Sequence, residues 1–360
     1  MQGLQTNYLT PTGREEAWRF TPLARMGGLH DGTVVRSGES SLFLRAGLTS
    51  GVTFAQVAPD AIAPFSQSDD AVVLHARSEV TAISHLSIDK GITLAEPIYL
   101  GRKSVAGEYS RIKISLGVNA HAKVILENSG STILGEDLEM ELGAGASLTF
   151  ISLQEWSADT VYSARHHAIL DRDASLESIV VTLGGSLVRI LPTVEFRGEG
   201  ASVSLNGVYF ASTGQHQEHR LHVDHLVPRA KSRVNYKGAL TGDKAHTVWI
   251  GDVFIRAAAE GTDTYELNRN LLLSDGARAD SVPNLEIETG EIVGAGHAST
   301  TGRFDDEQLF YLMSRGIESD DARRLVVRGF FAEIIGHIGA EDIQERLMTH
   351  IDTELSRVGA

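Results

Sequence analysis

Gly145-Ala146-Ser147-Leu148-Thr149-Phe150 joins a small-residue turn to an alternating strand, and the same join returns along the chain. It stands at Ala120-His121-Ala122-Lys123-Val124-Ile125, at Asp173-Ala174-Ser175-Leu176-Glu177-Ser178-Ile179 and at Gly200-Ala201-Ser202-Val203-Ser204-Leu205. Looser versions follow at Arg229-Ala230-Lys231-Ser232-Arg233-Val234 and Gly276-Ala277-Arg278-Ala279. A period of roughly 25 to 30 residues is the range in which stacked repeats are the leading explanation of self-similarity. One small residue per coil suits a tight corner. The interval leaves room for two or three short strands, with Leu187 to Leu191 and Thr247 to Ile250 filling it. Inward residues alternating with outward ones then build a continuous core along the stack. The pattern predicts a mainly β chain wound as a solenoid. An antiparallel sandwich, which also shows short strands and turn signals, is the rival.

The rhythm has limits at both ends. Residues 1–90 do not share it, and Pro11-Thr12-Gly13-Arg14-Glu15-Glu16-Ala17-Trp18 reads as a short capped helix in an N-terminal capping region. Solenoids need such caps because a terminal rung is an unpaired edge. The core is expected over 91–302, and the texture turns helical over 303–360. Asp305-Asp306-Glu307 gives an acidic first turn, Leu309, Leu312 and Met313 follow, and Arg315-Gly316 is a basic and glycine stop. A second helix is expected from a cap at Ser319, with Ala322, Leu325, Val326, Gly329, Phe330 and Ile334 on one face. Val327, Phe331 and Ile335 make a second apolar stripe beside Phe330, more than a surface helix needs. Either a third helix carrying Ile343, Leu347, Ile351 and Leu355 covers that stripe, or it is a groove for a partner.

Composition narrows the function. Forty-seven acidic against 32 basic residues give a formal charge of -15, which repels nucleic acid in the absence of a basic stripe. Apolar runs such as Ile92 to Leu94 or Leu271 to Leu273 are far too short for a bilayer. No leader pattern follows Met1-Gln2-Gly3, so the expected compartment is the cytoplasm. There is no cysteine, which removes disulfides, thiolate nucleophiles and thiolate ligands together.

Histidines are the first candidates for chemistry. His216, His219, His222 and His225 crowd one segment, but on a strand His219 and His225 share one face and His216 and His222 the other, so no three gather for a metal. His297, in Gly294-Ala295-Gly296-His297-Ala298-Ser299-Thr300-Thr301-Gly302, stands where the solenoid ends, with little bulk around its imidazole. The glycines never take the spacing of a phosphate-binding loop. Asp171 and Asp173 could flank a sugar, as in β-helical carbohydrate-active enzymes with paired carboxylates. Trp18, Trp156 and Trp249 are too scattered to announce an aromatic sugar platform.

Several of these stretches together resemble a known family. Asn268-Arg269-Asn270-Leu271-Leu272-Leu273-Ser274-Asp275, Pro283-Asn284-Leu285-Glu286-Ile287, His297-Ala298-Ser299-Thr300 and Glu307-Gln308-Leu309-Phe310-Tyr311-Leu312 are similar to the SufB/SufD family of iron-sulfur cluster assembly proteins. So are Ser314-Arg315-Gly316-Ile317, Tyr236-Lys237-Gly238 and Asp224-His225 with Pro228. Glu16-Ala17-Trp18-Arg19-Phe20-Thr21-Pro22-Leu23 resembles the N-terminal signature of the SufD branch. The resemblance implies a right-handed parallel β-helix between a small N-terminal region and a C-terminal helical region. It implies a heterodimer with a SufB-like paralogue, a SufC-like ABC-type ATPase docked on the C-terminal helices, where Val327, Phe330, Phe331 and Ile335 are the candidates, and a possible homodimer in isolation. It further implies that His297 faces a cysteine of the paralogue where a nascent cluster is built. The family's cysteines two residues before this histidine and after the Pro of the Asp-His segment are here Ala295 and Ala230. With no thiolates of its own, the chain would hold no cluster alone and would be a non-catalytic scaffold subunit that shares a transient cluster with its partner.

Overall fold

The recurring turn owes its form to one backbone conformation. Asn119, Gly145, Asp173, Gly200 and Arg229 all have positive φ, between 55° and 75°, and each is followed by a fully buried alanine: Ala120, Ala146, Ala174, Ala201 and Ala230. The left-handed residue turns the chain through a corner, and only a methyl group fits behind it. The corners also bond to one another. The amide of Asn119 donates to the Ala144 carbonyl at 2.9 Å, Gly145 to Arg172 at 2.8 Å, Asp173 to Glu199 at 3.0 Å and Arg229 to Glu260 at 2.7 Å, so the ladder continues around the bend. Asp173 is therefore a turn residue, and its carboxylate pairs with neighbouring Arg172 at 3.6 Å.

The computed structural model describes residues 10–35, 41–102, 106–303 and 306–358, so Met1-Gln2-Gly3 and the expected helix-start residue Asp305 lie outside the described residues. In chain order the first strands are β1 (Leu42–Leu44), β2 (Val52–Val57), β3 (Ile83–Ile88), β4 (Ile98–Arg102), β5 (Glu108–Leu116) and β6 (His121–Gly130). Then come β7 (Ile133–Leu142), β8 (Ser147–Trp156), β9 (Val161–Leu170), β10 (Ser175–Gly184), β11 (Leu187–Phe196) and β12 (Ser202–Ala211). The last are β13 (His216–His225), β14 (Lys231–Leu240), β15 (His246–Ile255), β16 (Thr262–Leu272), β17 (Arg278–Ile287) and β18 (Ile292–Arg303). The helices are α1 (Ala71–Glu79), α2 (Asp306–Ser314), α3 (Ser319–Gly336) and α4 (Glu341–Val358).

From β3 onward successive strands alternate between two nine-stranded sheets, one ordered β1-β4-β6-β8-β10-β12-β14-β16-β18 and the other β17-β15-β13-β11-β9-β7-β5-β3-β2. The chain is thus a parallel β-solenoid of about eight turns with a helical C-terminal region. Coils hold two strands of about ten residues, longer than the short strands expected from the sequence. At the beginning, β1 and β2 run antiparallel to β4 and β3 and close both edges. At the far end β17 and β18 each have one neighbour only among the described residues.

Both flanks are covered. Asp70 caps α1 by accepting from the amides of Val72 and Val73 at 3.0 and 3.2 Å. That helix packs with Trp18, Met26 and Leu29 on the outer face of the second sheet. The expected helix near Trp18 is a single 3-10 turn, Glu16–Trp18, and the Arg189 guanidinium lies 4.0 Å over the Trp18 ring while bonding Asp70 at 2.7 Å. On the other side α3 and α4 lie on the outer face of the first sheet, against Ile151, Ile179, Val181 and Phe210. Ser319 lies inside α3, whose cap is Glu318. Among the described residues no helix is long and apolar enough to cross a membrane.

The helix packing corrects the docking stripe. Val327, Phe331 and Ile335 are at most 1% exposed, and Phe330 is half-buried beside them, all against the chain's own first sheet. The expected third helix, α4, covers the stripe with Ile343, Leu347 and Ile351, and the outer surface of the first sheet, invisible to a helix-by-helix reading, completes the cover. What α2 and α3 leave in solvent is a different set, Phe310, Tyr311, Met313 and Leu325.

Inside the solenoid, glycine and tyrosine interlock. A side-chain carbon at Gly207 would overlap the Tyr236 ring, and one at Gly238 would overlap the Tyr209 ring, so each large ring fills the hollow left by a glycine on a neighbouring strand. Tyr236-Lys237-Gly238 is thereby explained residue by residue: Tyr236 and Gly238 face the core, while outward Lys237 pairs with Glu333 of α3 at 2.6 Å. Gly238→Ala is expected to lower the unfolding free energy by about 1–3 kcal/mol through overpacking, read as a lower urea midpoint at unchanged m-value.

Candidate functional site

Pairing across the first sheet lines up one inward row: Phe150, Ser178, Leu205, Val234, Glu266 and His297, each register partner of the next. The row begins in the apolar core and ends in water. His297 has the inward parity of Phe150, but it is exposed because no coil follows β18. Ala295, two residues earlier on the same face, packs partly against the core, and Ala230 is a buried corner alanine.

The neighbouring inward positions are polar. Asn268 donates to the Tyr209 hydroxyl at 2.8 Å, Asn270 donates to the Asn268 carbonyl oxygen at 2.8 Å, and Ser281 donates to the same oxygen at 2.8 Å. Ser299 donates to Ser281 at 2.7 Å, joining β18 to β17 across the mouth. The open end of the solenoid is thus a hydrogen-bonded polar mouth under an exposed imidazole.

Glu266 is the group that sequence reasoning missed. It is 2% exposed, and both carboxylate oxygens lack a hydrogen-bond partner. Burial, with the charge of Asp252 adding to it, pushes its carboxyl up to about 8. Elsewhere buried carboxylates are matched. Glu136 and Glu108 share Arg102, Asp137 has Arg77 and Arg165, Glu139 has Lys113, and Glu218 has Arg189 and the Thr21 hydroxyl. Asp70 has Arg189 as well, and Glu127 has Arg346 and Arg45. Among the described residues Glu266 is the only buried carboxylate without a cation. The signal for it was the inverted parity of β16, where Thr264, Glu266, Asn268 and Asn270 face in and Tyr265, Leu267 and Leu271 face out.

The histidine cluster divides as its spacing predicts. His219 stacks on Tyr209 at 5.0 Å and meets the Thr182 hydroxyl at 3.0 Å, and His225 stacks on Phe196 at 4.7 Å. His216 turns to the other face, 3.2 Å from His246. Among the described residues no three metal-ligating side chains converge. Asp171 and Asp173 sit in a corner rather than across a groove.

These features define a class: a two-sheet β-solenoid closed at its beginning, sheathed on both flanks, and open at one polar end. Residues 99–330 match the family model described as SUF system FeS cluster assembly, SufBD core domain. The chain belongs to the SufBD family. It is 47% identical over 357 residues to an iron-sulfur cluster assembly SufBD family protein of Mycobacterium leprae, covering 96% of this chain and 91% of that one. It is 28% identical over 296 residues to the iron-sulfur cluster assembly protein SufD of Escherichia coli strain K12, covering 79% of this chain and 70% of that protein. A further SufBD family protein of Mycobacterium bovis matches at 30% over 196 residues, 54% of this chain but 23% of that one.

The buried imidazoles give the solenoid a pH signature. Desolvation lowers His219 to about 3, so the unfolded chain takes up a proton first as pH falls below about 6.5, and native stability drops with it. His219→Gln, which can still bond Thr182, is expected to gain on the native sequence by about 1 kcal/mol between pH 7 and pH 5.5 in paired urea titrations. A difference independent of pH would show that His219 is not held neutral.

Proposed function

We propose that this chain is a scaffold subunit of an iron-sulfur cluster assembly complex, with no catalytic centre of its own. The observation that supports it best is the pair of open edges at β17 and β18, with His297 on the inward face of the last coil. Long unpaired edges invite another strand. A SufB-like paralogue with the same winding would continue both sheets and place its own residues opposite His297. The nascent cluster is cargo, held mainly by the paralogue's thiolates, with the His297 imidazole as this chain's contribution. Such exposed thiolates call for a reducing compartment, which puts the work in the cytoplasm. In isolation, two copies could pair through the same edges as a homodimer.

The helical region would take a SufC-like ATPase on the surface left free by the sheet. Phe310 is 73% exposed and Leu325 48%, with Tyr311 and Met313, exposed apolar residues of α2 and α3, and Glu333 ties α3 to Lys237 of the solenoid. ATP-driven movement of these helices would reach the coils through that pair and through the buried face of α3.

Two measurements test the reading. His297→Ala is expected to leave folding and complex formation unchanged while lowering cluster formation about tenfold in the reconstituted assembly, and normal yield would remove the histidine from the site. Phe310→Asp is expected to weaken binding of the ATPase by about tenfold or more without disturbing the fold. Unchanged affinity would put the docking surface elsewhere.

A further inference from the structure

We propose that Glu266 is a second iron-binding side chain of the site at the open edge, its carboxylate joining the His297 imidazole on one ferrous ion. The proposal rests on the assembly reading just given and adds to it the class of ion and a second ligand from this chain.

Position comes first. Glu266 and His297 are register partners on neighbouring parallel strands and share the inward parity. Strands lie about 4.8 Å apart, a spacing at which two side chains of one row can meet on a single ion. The carboxylate also has room. Gly251 stands across the interior, and a side-chain carbon there would come within 2.5 Å of Glu266 Oε2. The absent side chain at 251 is what lets the glutamate enter the interior.

Energetics come next. Inward positions one, two and three coils earlier in this row are Val234, Leu205 and Ser178, so the fold accepts small or apolar groups there. A carboxyl in the same place costs stability unless it binds a cation or loses its charge. Every other buried carboxylate among the described residues has a cation from the chain, and this one lies one strand from the exposed edge. Trp249 Nε1, whose ring also borders Gly251, is likewise buried and unpartnered, so the chain supplies Glu266 with neither a cation nor a donor.

The donor set is the final point. One carboxylate oxygen and one imidazole nitrogen suit a ferrous ion, and thiolates from a partner would complete its coordination. Two ligands from this chain make a weak site alone, in keeping with an ion that is passed on. Binding displaces whatever proton the carboxyl carries and moves no electrons.

The test uses the full-length chain, anaerobically, with Co2+ alone as the spectroscopic probe. The native protein is expected to take up Co2+ with an absorption band of nitrogen and oxygen coordination, and Glu266→Gln and His297→Ala each to weaken uptake about tenfold or more. Gln keeps the size of the side chain and cannot ionise in the interior, so its melting temperature should not fall. Should it fail to fold, Glu266→Asp, which withdraws the carboxylate by one methylene, must show the same loss. Unchanged affinity in the Glu266 variants, no uptake by the native chain, or a loss with Glu266→Gln but not with His297→Ala overturns the proposal. If His297→Ala lowers cluster yield in the complex while Co2+ uptake ignores Glu266, this inference fails and the assembly reading stands. If His297→Ala leaves both yield and uptake unchanged, both fall.

Discussion

Each coil of this protein satisfies its backbone through the coil on either side, and the last coil has only one. From that constraint follow the closed beginning, the covered flanks and the open end. Antiparallel β1 and β2 use up the first two edges, whereas β17 and β18 present roughly ten residues each of unpaired strand. A parallel ladder has no internal way to stop. The chain stops it at one end and leaves it ready for another at the opposite end.

The interior changes character along the same axis. At the beginning, Arg102 is held by Glu136 and Glu108 and donates to Asn128 at 2.9 Å, a closed charge cluster that seals the first coils. The middle coils combine leucine, isoleucine and valine with Phe150 and Phe196 and the neutral imidazoles packed against them, His166 and His225. Towards the open end, interlocked Tyr209 and Tyr236 give way to Asn268, Asn270, Ser281, Ser299 and then His297. The unmatched carboxyl of Glu266 lies in this polar stretch, one strand short of the edge. Opposite ends of one interior thus treat a buried carboxyl differently, one pairing it within the chain and the other giving it no cation among the described residues.

The helical tail is an extension of the solenoid wall. Phe331, Ile334, Ile335 and Leu347 complete an apolar layer begun by Ile151, Val181 and Phe210, so α3 and α4 are packed onto the first sheet. Charged ties reinforce this, with Arg346 contacting Glu127 at 2.8 Å and Glu155 at 2.9 Å. A surface attached this way can transmit force to the coils.

The corner rhythm, the missing cysteines and the exposed setting of His297 were all legible in the amino-acid sequence, because each depends on local chemistry: a left-handed residue before an alanine, a side chain that is absent, a histidine among glycines. Alternation likewise told the faces of His219 and His225 from those of His216 and His222. Pairing partners were not legible. Whether Val327, Phe331 and Ile335 were covered or free stayed open, because half of their cover is the outside of a sheet assembled from strands as far away as residue 125, with α4 supplying the rest. Glu266 was not singled out at all, because nothing local tells which set of alternate residues in β16 faces in, and there the polar set does. The winding and its chemical limits belong to the sequence; tertiary structure alone decided which buried charge has no partner, since that depends on register across coils about thirty residues apart.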